Sequence, residues 1–216
     1  MSALPAPGAR DEAPTIPRSR KGVQTRGRLL DAAKQIFEER GFFEARISDI
    51  AERAGLSHGA FYHYFDSKEQ VFREVAKALD DRLSEPMSSV MLAPGSDITP
   101  RDRFYLAIHR HLEAYREEAR IMGVIEQVAR YDEHVFALRA SAAARHRREM
   151  ADSIRRMQRR RRADPKLDPE IAAAALGSMV ERLAEMWLAQ KQLDANVDDV
   201  ADTLATLFAN AFGLNA

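Results

Sequence analysis

Residues 47–72 constrain this chain more tightly than any other segment. Two short stretches within them, 48–54 and 58–64, carry apolar residues at helical spacing, and Gly55 parts them. A glycine there ends a helix through a left-handed backbone at little cost. Ile50, Ala51, Ala54, Leu56, Phe61 and Phe65 read as packing residues, with Ile47 as a further apolar anchor. The alanines are small enough for two helices to cross closely, and Leu56 points inward to lock the turn. Two short helices joined in this way form a helix-turn-helix, which lays its second helix in the major groove of DNA.

The residues left over face outward and are rich in donors. Ser48 stands at the start of the first short helix and Ser57 at the start of the second, where a hydroxyl and free amides hold a phosphate. His58, Gly59 and Ala60 make the leading turn of the second helix, the part that meets base edges. Gly59 lets the backbone approach a duplex, and the Ala60 methyl suits a thymine methyl. Tyr62, His63 and Tyr64 add donors and flat faces one turn further on, and Lys68 is placed to neutralise a phosphate.

Residues 21–72 resemble the N-terminal DNA-binding domain of the TetR family of bacterial transcriptional regulators. The matching residues are Ile36 and Phe37 with Gly41 and Phe42, Ile50 and Ala51, the run Ala54-Gly55-Leu56-Ser57, Gly59, Tyr62, Tyr64 and Phe65, and the run Ser67-Lys68-Glu69. Carried over by position, the resemblance implies phosphate contacts from Ser48, Ser57, Tyr62, Tyr64 and Lys68. It implies base-proximal roles for His58, Gly59, Ala60, Tyr62 and His63. Ser48 departs from the commoner threonine but keeps the hydroxyl.

The rest of the chain reads as all-α, with about nine helices and no alternating strand pattern. Residues 1–20 hold four of the nine prolines and are expected to form a disordered arm. Leu29, Leu30, Ala33, Ile36 and Phe37 mark the first helix, and Gly41 stops it. Ser67 and Gln70 form a capping box opening a helix expected to end near Glu85, before Pro86. The DNA-binding domain is thus placed at 21–85, with a loop and domain boundary at 86–98 and a helical ligand-binding and dimerisation domain at 99–216. Thr99 and Pro100 begin that second domain as cap and first helical position. A break near Glu117 or Glu118 divides a helix from a shorter one at 119–130. A long helix over 132–162, another over 169–192 and a last one capped by Asn196 complete the chain.

One helix-turn-helix reads few base pairs, and two related by a two-fold axis read a palindrome with half-sites ~34–36 Å apart. The last two helices carry more apolar surface than one subunit needs, so Met179, Leu183, Trp187, Leu204 and Phe208 are expected at a homodimer interface. The family resemblance implies the same four-helix interface. It also implies an inducer pocket between residues 100 and 162. Phe104, Ile108, His111, Met122, Gln127 and Tyr131 are its candidate lining, suited to an apolar or amphipathic inducer, acyl-CoA-like ligands included. The arginines at 155–162 suit a helix C-terminus by its dipole, or an anionic ligand group.

Other chemistries find little support. The chain has no cysteine, which removes disulfides and thiolate metal sites and fits a cytoplasmic protein. Formal net charge is zero, yet nine arginines face only Glu149 and Asp152 within 145–162, so charge is local rather than global. His109 and His111 point apart on a helix, and no metal site or cofactor is expected. No apolar run approaches the ~20 residues of a bilayer span. Gly55-Leu56-Ser57-His58-Gly59 matches the G-x-S-x-G of a hydrolase elbow, but that chemistry needs a strand before the serine. The expected protein is a ligand-responsive repressor, not an enzyme. A helical ligand-binding protein that does not read DNA and an α-helical enzyme are the competing classes.

Overall fold

The computed structural model describes residues 19–92 and 98–213, with backbone alone for 84–92. Among the described residues there are eight α-helices, one π-helical turn and no strand: α1 (Arg20–Glu44), α2 (Ile47–Arg53), α3 (His58–Phe61), α4 (Lys68–Leu92), α5 (Pro100–Val128), α6 (Glu133–Arg159), α7 (Pro169–Ala184), the π-turn (Glu185–Ala189) and α8 (Val197–Phe212). They form two compact units, 1–72 and 73–216. The expected arm lies outside the described residues except at its end, where Ser19 caps α1 by accepting from the Gly22 amide at 3.1 Å.

The N-terminal unit closes around aromatic rings. Leu29, Ala33, Ile36 and Phe37 of α1 are buried, as are Ile50 and Ala51 of α2, Phe61 of α3, and Phe65. Phe37 meets Phe72 edge-on at 5.0 Å between centroids, and Phe42 meets Phe72 at 4.8 Å. Gly41 breaks α1 with φ 73°, and the chain resumes a helical turn through Glu44. Gly55 ends the α2 turn with φ 67°, where an added Cβ would also press on the Arg28 guanidinium. That guanidinium donates to the Ala54 carbonyl, satisfying a buried acceptor at the end of α2.

The C-terminal unit packs α5 on α8 and α6 on α7, with the π-turn also against α5. Phe104 of α5 stacks on Phe212 at 5.5 Å and meets Phe208 edge-on at 5.6 Å. Polar ties reinforce the pair: Arg101 donates to Asp202 at 2.5 Å and the Tyr105 hydroxyl to Asp198 at 2.9 Å. Asp132 caps α6 and also accepts from Arg73 at 2.7 Å. α6 ends in a Schellman arrangement, with the Arg161 amide donating to the Gln158 carbonyl and the Arg162 amide to the Met157 carbonyl. No helix among the described residues is long and apolar enough to cross a membrane.

Four boundaries differ from the sequence reading. α3 is helical over His58–Phe61 alone, and residues 62–64, expected to extend it, form turns. α4 runs through Pro86 to Leu92 instead of ending near Glu85. A proline inside a helix removes one hydrogen bond and crowds the carbonyl four residues back, at about 3 kcal/mol, but an established helix propagates without a new nucleus and continues past it. α5 is continuous from Pro100 to Val128, with no break at Glu117 or Glu118. Tyr115, Ala119 and Met122 keep the stripe in register there, and no glycine or proline falls between Tyr115 and Met122. This fusion accounts for eight α-helices instead of about nine. The helix expected over 169–192 remains α-helical only to Ala184 and continues as the π-turn, which buries Trp187 and Leu188.

Candidate nucleic-acid interface

The turn between α2 and α3 presents one polar surface. Ser48, Ser57, His58, Gly59, Tyr62 and His63 are exposed, and Ala60 and Tyr64 are half-buried beside them. The Ser57 hydroxyl accepts from the Ala60 amide at 3.2 Å, so it caps α3. No side chain caps the start of α2, where Ser48 lies on the first turn. His58 and Tyr62 stand edge to face at 5.3 Å, and Tyr62, at 46% exposed, leans its other side on Phe61. The inward ring of Phe61 fixes the backbone while its neighbours display donors and flat faces outward. An added Cβ at Gly59 meets nothing within 4 Å, so the surface is open at its centre. Ser57 follows a helix, not a strand, so the G-x-S-x-G match is not a nucleophile elbow.

Lys68 has a different occupation from the one its position suggested. Its ammonium donates to the carbonyls of Phe42 at 2.7 Å, Ala45 at 3.0 Å and Phe43 at 3.2 Å, and lies 4.6 Å from the centre of the Phe42 ring. All three donors are engaged, closing the frayed end of α1 where Gly41 has broken the hydrogen-bond ladder. The expected phosphate contact therefore gives way to a structural role. Lys68→Met should lower stability by about 2 kcal/mol, the scale of hydrogen bonds made by a charged group. The slope of log affinity for DNA against log salt should stay unchanged. A salt slope reduced by about one at unaltered thermal stability would restore the phosphate role.

Arg46 escaped the sequence reading. It is exposed, directly precedes α2 as its N-cap residue and has no ion-pair partner among the described residues. The nearby cations Arg40 and Arg53 are held by Asp49 at 2.5 Å and Glu39 at 2.8 Å. A cation directly before a short helix was the available signal. Only the packed structure separates this arginine from the paired Arg40 and Arg53.

Within the C-terminal unit, a cavity of about 400 Å³ opens among α4, α5, α6 and α7. Of the six candidate ligand residues, His111 alone lines it. Phe104, Ile108 and Met122 are buried in helix packing, while Gln127 and Tyr131 are exposed, Tyr131 on a separate shallow surface. These five are corrected: a stripe along α5 shows which face is apolar, not whether a helix or a void covers it. The lining comes chiefly from α6 and α7, including Phe136, Arg139, His146, Met150, Ala173 and Glu181. The interface candidates need a similar correction. Trp187, Leu204 and Phe208 are buried in their own chain at 6%, 2% and 1% exposure, whereas Met179 and Leu183 stay half-exposed.

A charged network occupies one side of the cavity. Arg139 lies 2.7 Å from Glu126, 3.6 Å from Asp80 and 3.8 Å from Glu181. His111 Nε2 lies 3.2 Å from Glu181 without the alignment of a hydrogen bond, and its Nδ1 faces the Leu83 carbonyl at 3.4 Å. Burial opposes the charged imidazole, yet Glu181 and the Leu83 carbonyl outweigh it and raise the His111 pKa. Burial likewise opposes the Glu181 carboxylate, but His111 and Arg139 prevail and hold it down to about 2.

The sign of the resulting pH dependence follows from those directions. The Glu181 contribution is fully present above its ordinary 4.5 and fades as pH falls toward about 2. The His111 contribution is fully present below its ordinary 6.5 and fades as pH rises through the raised value. His111→Gln should therefore cost on the order of 1–2 kcal/mol in the window where both persist, and less at alkaline pH. Denaturant melts of both proteins across pH check this; a constant difference would remove the ion pair from the account.

Comparison with known proteins singles out the same segment. The sequence profile described as bacterial regulatory proteins, tetR family, matches residues 29–75, the segment holding the turn and its outward surface. Residues 29–75 carry the TetR-family DNA-binding segment. Relatives include the uncharacterized HTH-type transcriptional regulator YdgC of Bacillus subtilis, 28% identical over 78% of this chain and 83% of that protein. The HTH-type transcriptional regulator TtgR of Pseudomonas putida is 27% identical over 76% of this chain and 80% of its own length. Among solved structures, a TetR-family regulator of Mesorhizobium loti shares the fold with a TM-score of 0.75, at 18% identity over 89% of this chain and 98% of the other. SmeT, the repressor of a multidrug efflux pump of Stenotrophomonas maltophilia, shares it with a TM-score of 0.69, at 20% identity over 87% and 89% of the two chains.

Proposed function

We propose that this chain is a TetR-family repressor that binds a palindromic operator as a homodimer and is released by a small, largely apolar molecule. The observation carrying the DNA reading is the outward surface from Ser57 to His63. It sets imidazole, phenol and hydroxyl groups around an open glycine, while Phe61 anchors it from within. Ser48, Ser57, Tyr62, Tyr64 and Arg46 serve phosphates on this reading. His58, Gly59, Ala60 and His63 lie against base edges.

The homodimer rests on the surface left outside the core. Met179 and Leu183 of α7 remain half-exposed, and Leu207 of α8 is 48% exposed. The inducer reading rests on the cavity, whose walls are mainly apolar. α4 supplies Val71 and Phe72 to the N-terminal core and Asp80 and Leu83 to the cavity, so one helix is sensitive to both. A ligand that binds one conformation of the cavity more tightly shifts the population toward it. The change in DNA affinity then equals that differential binding. Selecting bound duplexes from a random pool tests the function. Two-fold symmetric sites should be enriched; recovery of unenriched sequence would refute the repressor reading.

A further inference from the structure

We infer that the cavity of the C-terminal unit takes an uncharged, mainly hydrocarbon ligand bearing a hydroxyl group, which the His146 imidazole recognises. This rests on the cavity being the effector site and assigns that site's ligand class.

Two observations select the class. First, the charges on the wall are matched internally. Arg139 answers Glu126, Asp80 and Glu181, and Asp80 also accepts from Arg145 at 2.8 Å. Glu181 faces His111, Arg147 lies 4.0 Å from Glu170, and Glu149 is engaged as well. A carboxylate or phosphate entering the cavity would meet four carboxylates, Asp80, Glu126, Glu149 and Glu181, whose countercharges are already committed. An ammonium group would compete with Arg139 and His111 for those same acids. Neither ionic class finds a vacant partner, and a desolvated charge without one is disfavoured.

Second, two lining imidazoles have a buried Nε2 that makes no hydrogen bond among the described residues; that of His111 faces Glu181 at 3.2 Å, which leaves that of His146 as the group open to a ligand. His146 Nε2 is buried and has no hydrogen bond, whereas the imidazole borders the cavity. Burial lowers the pKa of His146 despite the acids around it, favouring the neutral ring. In a neutral imidazole that nitrogen is donor or acceptor according to tautomer. A hydroxyl both gives and accepts, so it satisfies either form. The surrounding wall of Leu83, Phe136, Ala140, Met150, Ala173 and Val180 suits hydrocarbon.

The test uses the full chain and four probes of one skeleton at neutral pH: naphthol, naphthalene, naphthoate and naphthylmethylammonium, titrated by calorimetry. Naphthol should bind tightest, roughly tenfold to a hundredfold better than naphthalene, the scale of satisfying a buried polar atom. His146→Phe, which keeps an aromatic ring, should bring the two to similar affinity. His146→Gln, which retains a donor and an acceptor, should recover part of the preference. Tighter binding of naphthoate or the ammonium probe would overturn the ligand class while leaving the cavity as the effector site. A naphthol preference untouched in His146→Phe would overturn the role of His146. Absence of heat from every probe would overturn the effector-site reading, and this inference with it.

Discussion

Gly59→Leu should weaken operator binding by about a hundredfold or more and leave the fold intact. Gly59 lies on the exposed side of α3, and an added Cβ there meets nothing within 4 Å. Leucine is also the better helix former, so stability should hold or rise by up to about 1 kcal/mol. A four-carbon side chain would nonetheless hold the α3 backbone off the floor of a major groove and separate His58, Ala60 and His63 from base edges. Each lost base contact is worth about 1–3 kcal/mol, so affinity should fall on the order of a hundredfold or more. Thermal melting and operator titration of the same preparation read the two effects separately. A variant that melted normally and bound as tightly as the parent would show that this side of α3 does not enter the duplex.

Phe37→Ala should have the opposite signature. Phe37 is fully buried, with Phe72 edge-on at 5.0 Å and Phe42 at 5.9 Å. Removing the ring leaves a cavity at the centre of a small unit and should cost about 3–5 kcal/mol. Domains of this size are stabilised by only a few kcal/mol more than that, so the midpoint of the N-terminal unit should fall by more than ~10 °C. DNA binding is then lost through unfolding. Phe43, nearby in sequence, is 58% exposed, and Phe43→Ala should cost about 1 kcal/mol or less. Equal destabilisation by the two alanines would contradict the packing described.

The helix-turn-helix was legible because its signals are local. Gly55 needs only its own φ of 67°, and Ser57 caps an amide three residues away. The same holds for Ser67 with Gln70 and Asn196 with Asp199. What escaped depended on distant partners. Lys68 looks like a free cation until the carbonyls of Phe42, Phe43 and Ala45, 23 to 26 residues earlier, are brought to it. Leu204 and Phe208 belong to a real apolar stripe on α8, but periodicity does not say whether α5 of the same chain or a second subunit covers it. They proved to be covered by their own chain. The cavity was least legible, since a void is defined by residues that fail to meet. His146 and Glu181 gave no periodic signal, and His111 was named as one polar candidate among several.

The central claim is that the outward surface of α3 enters a duplex. Affinity for a selected operator and for a scrambled duplex, each titrated from about 50 to 200 mM salt, tests it most directly. Log affinity should fall linearly with log salt for both duplexes. The operator should stay at least ~10³-fold tighter throughout, because base contacts add specificity to a shared phosphate term. Equal affinity for the two duplexes, or no binding to either at the lowest salt, would contradict the account.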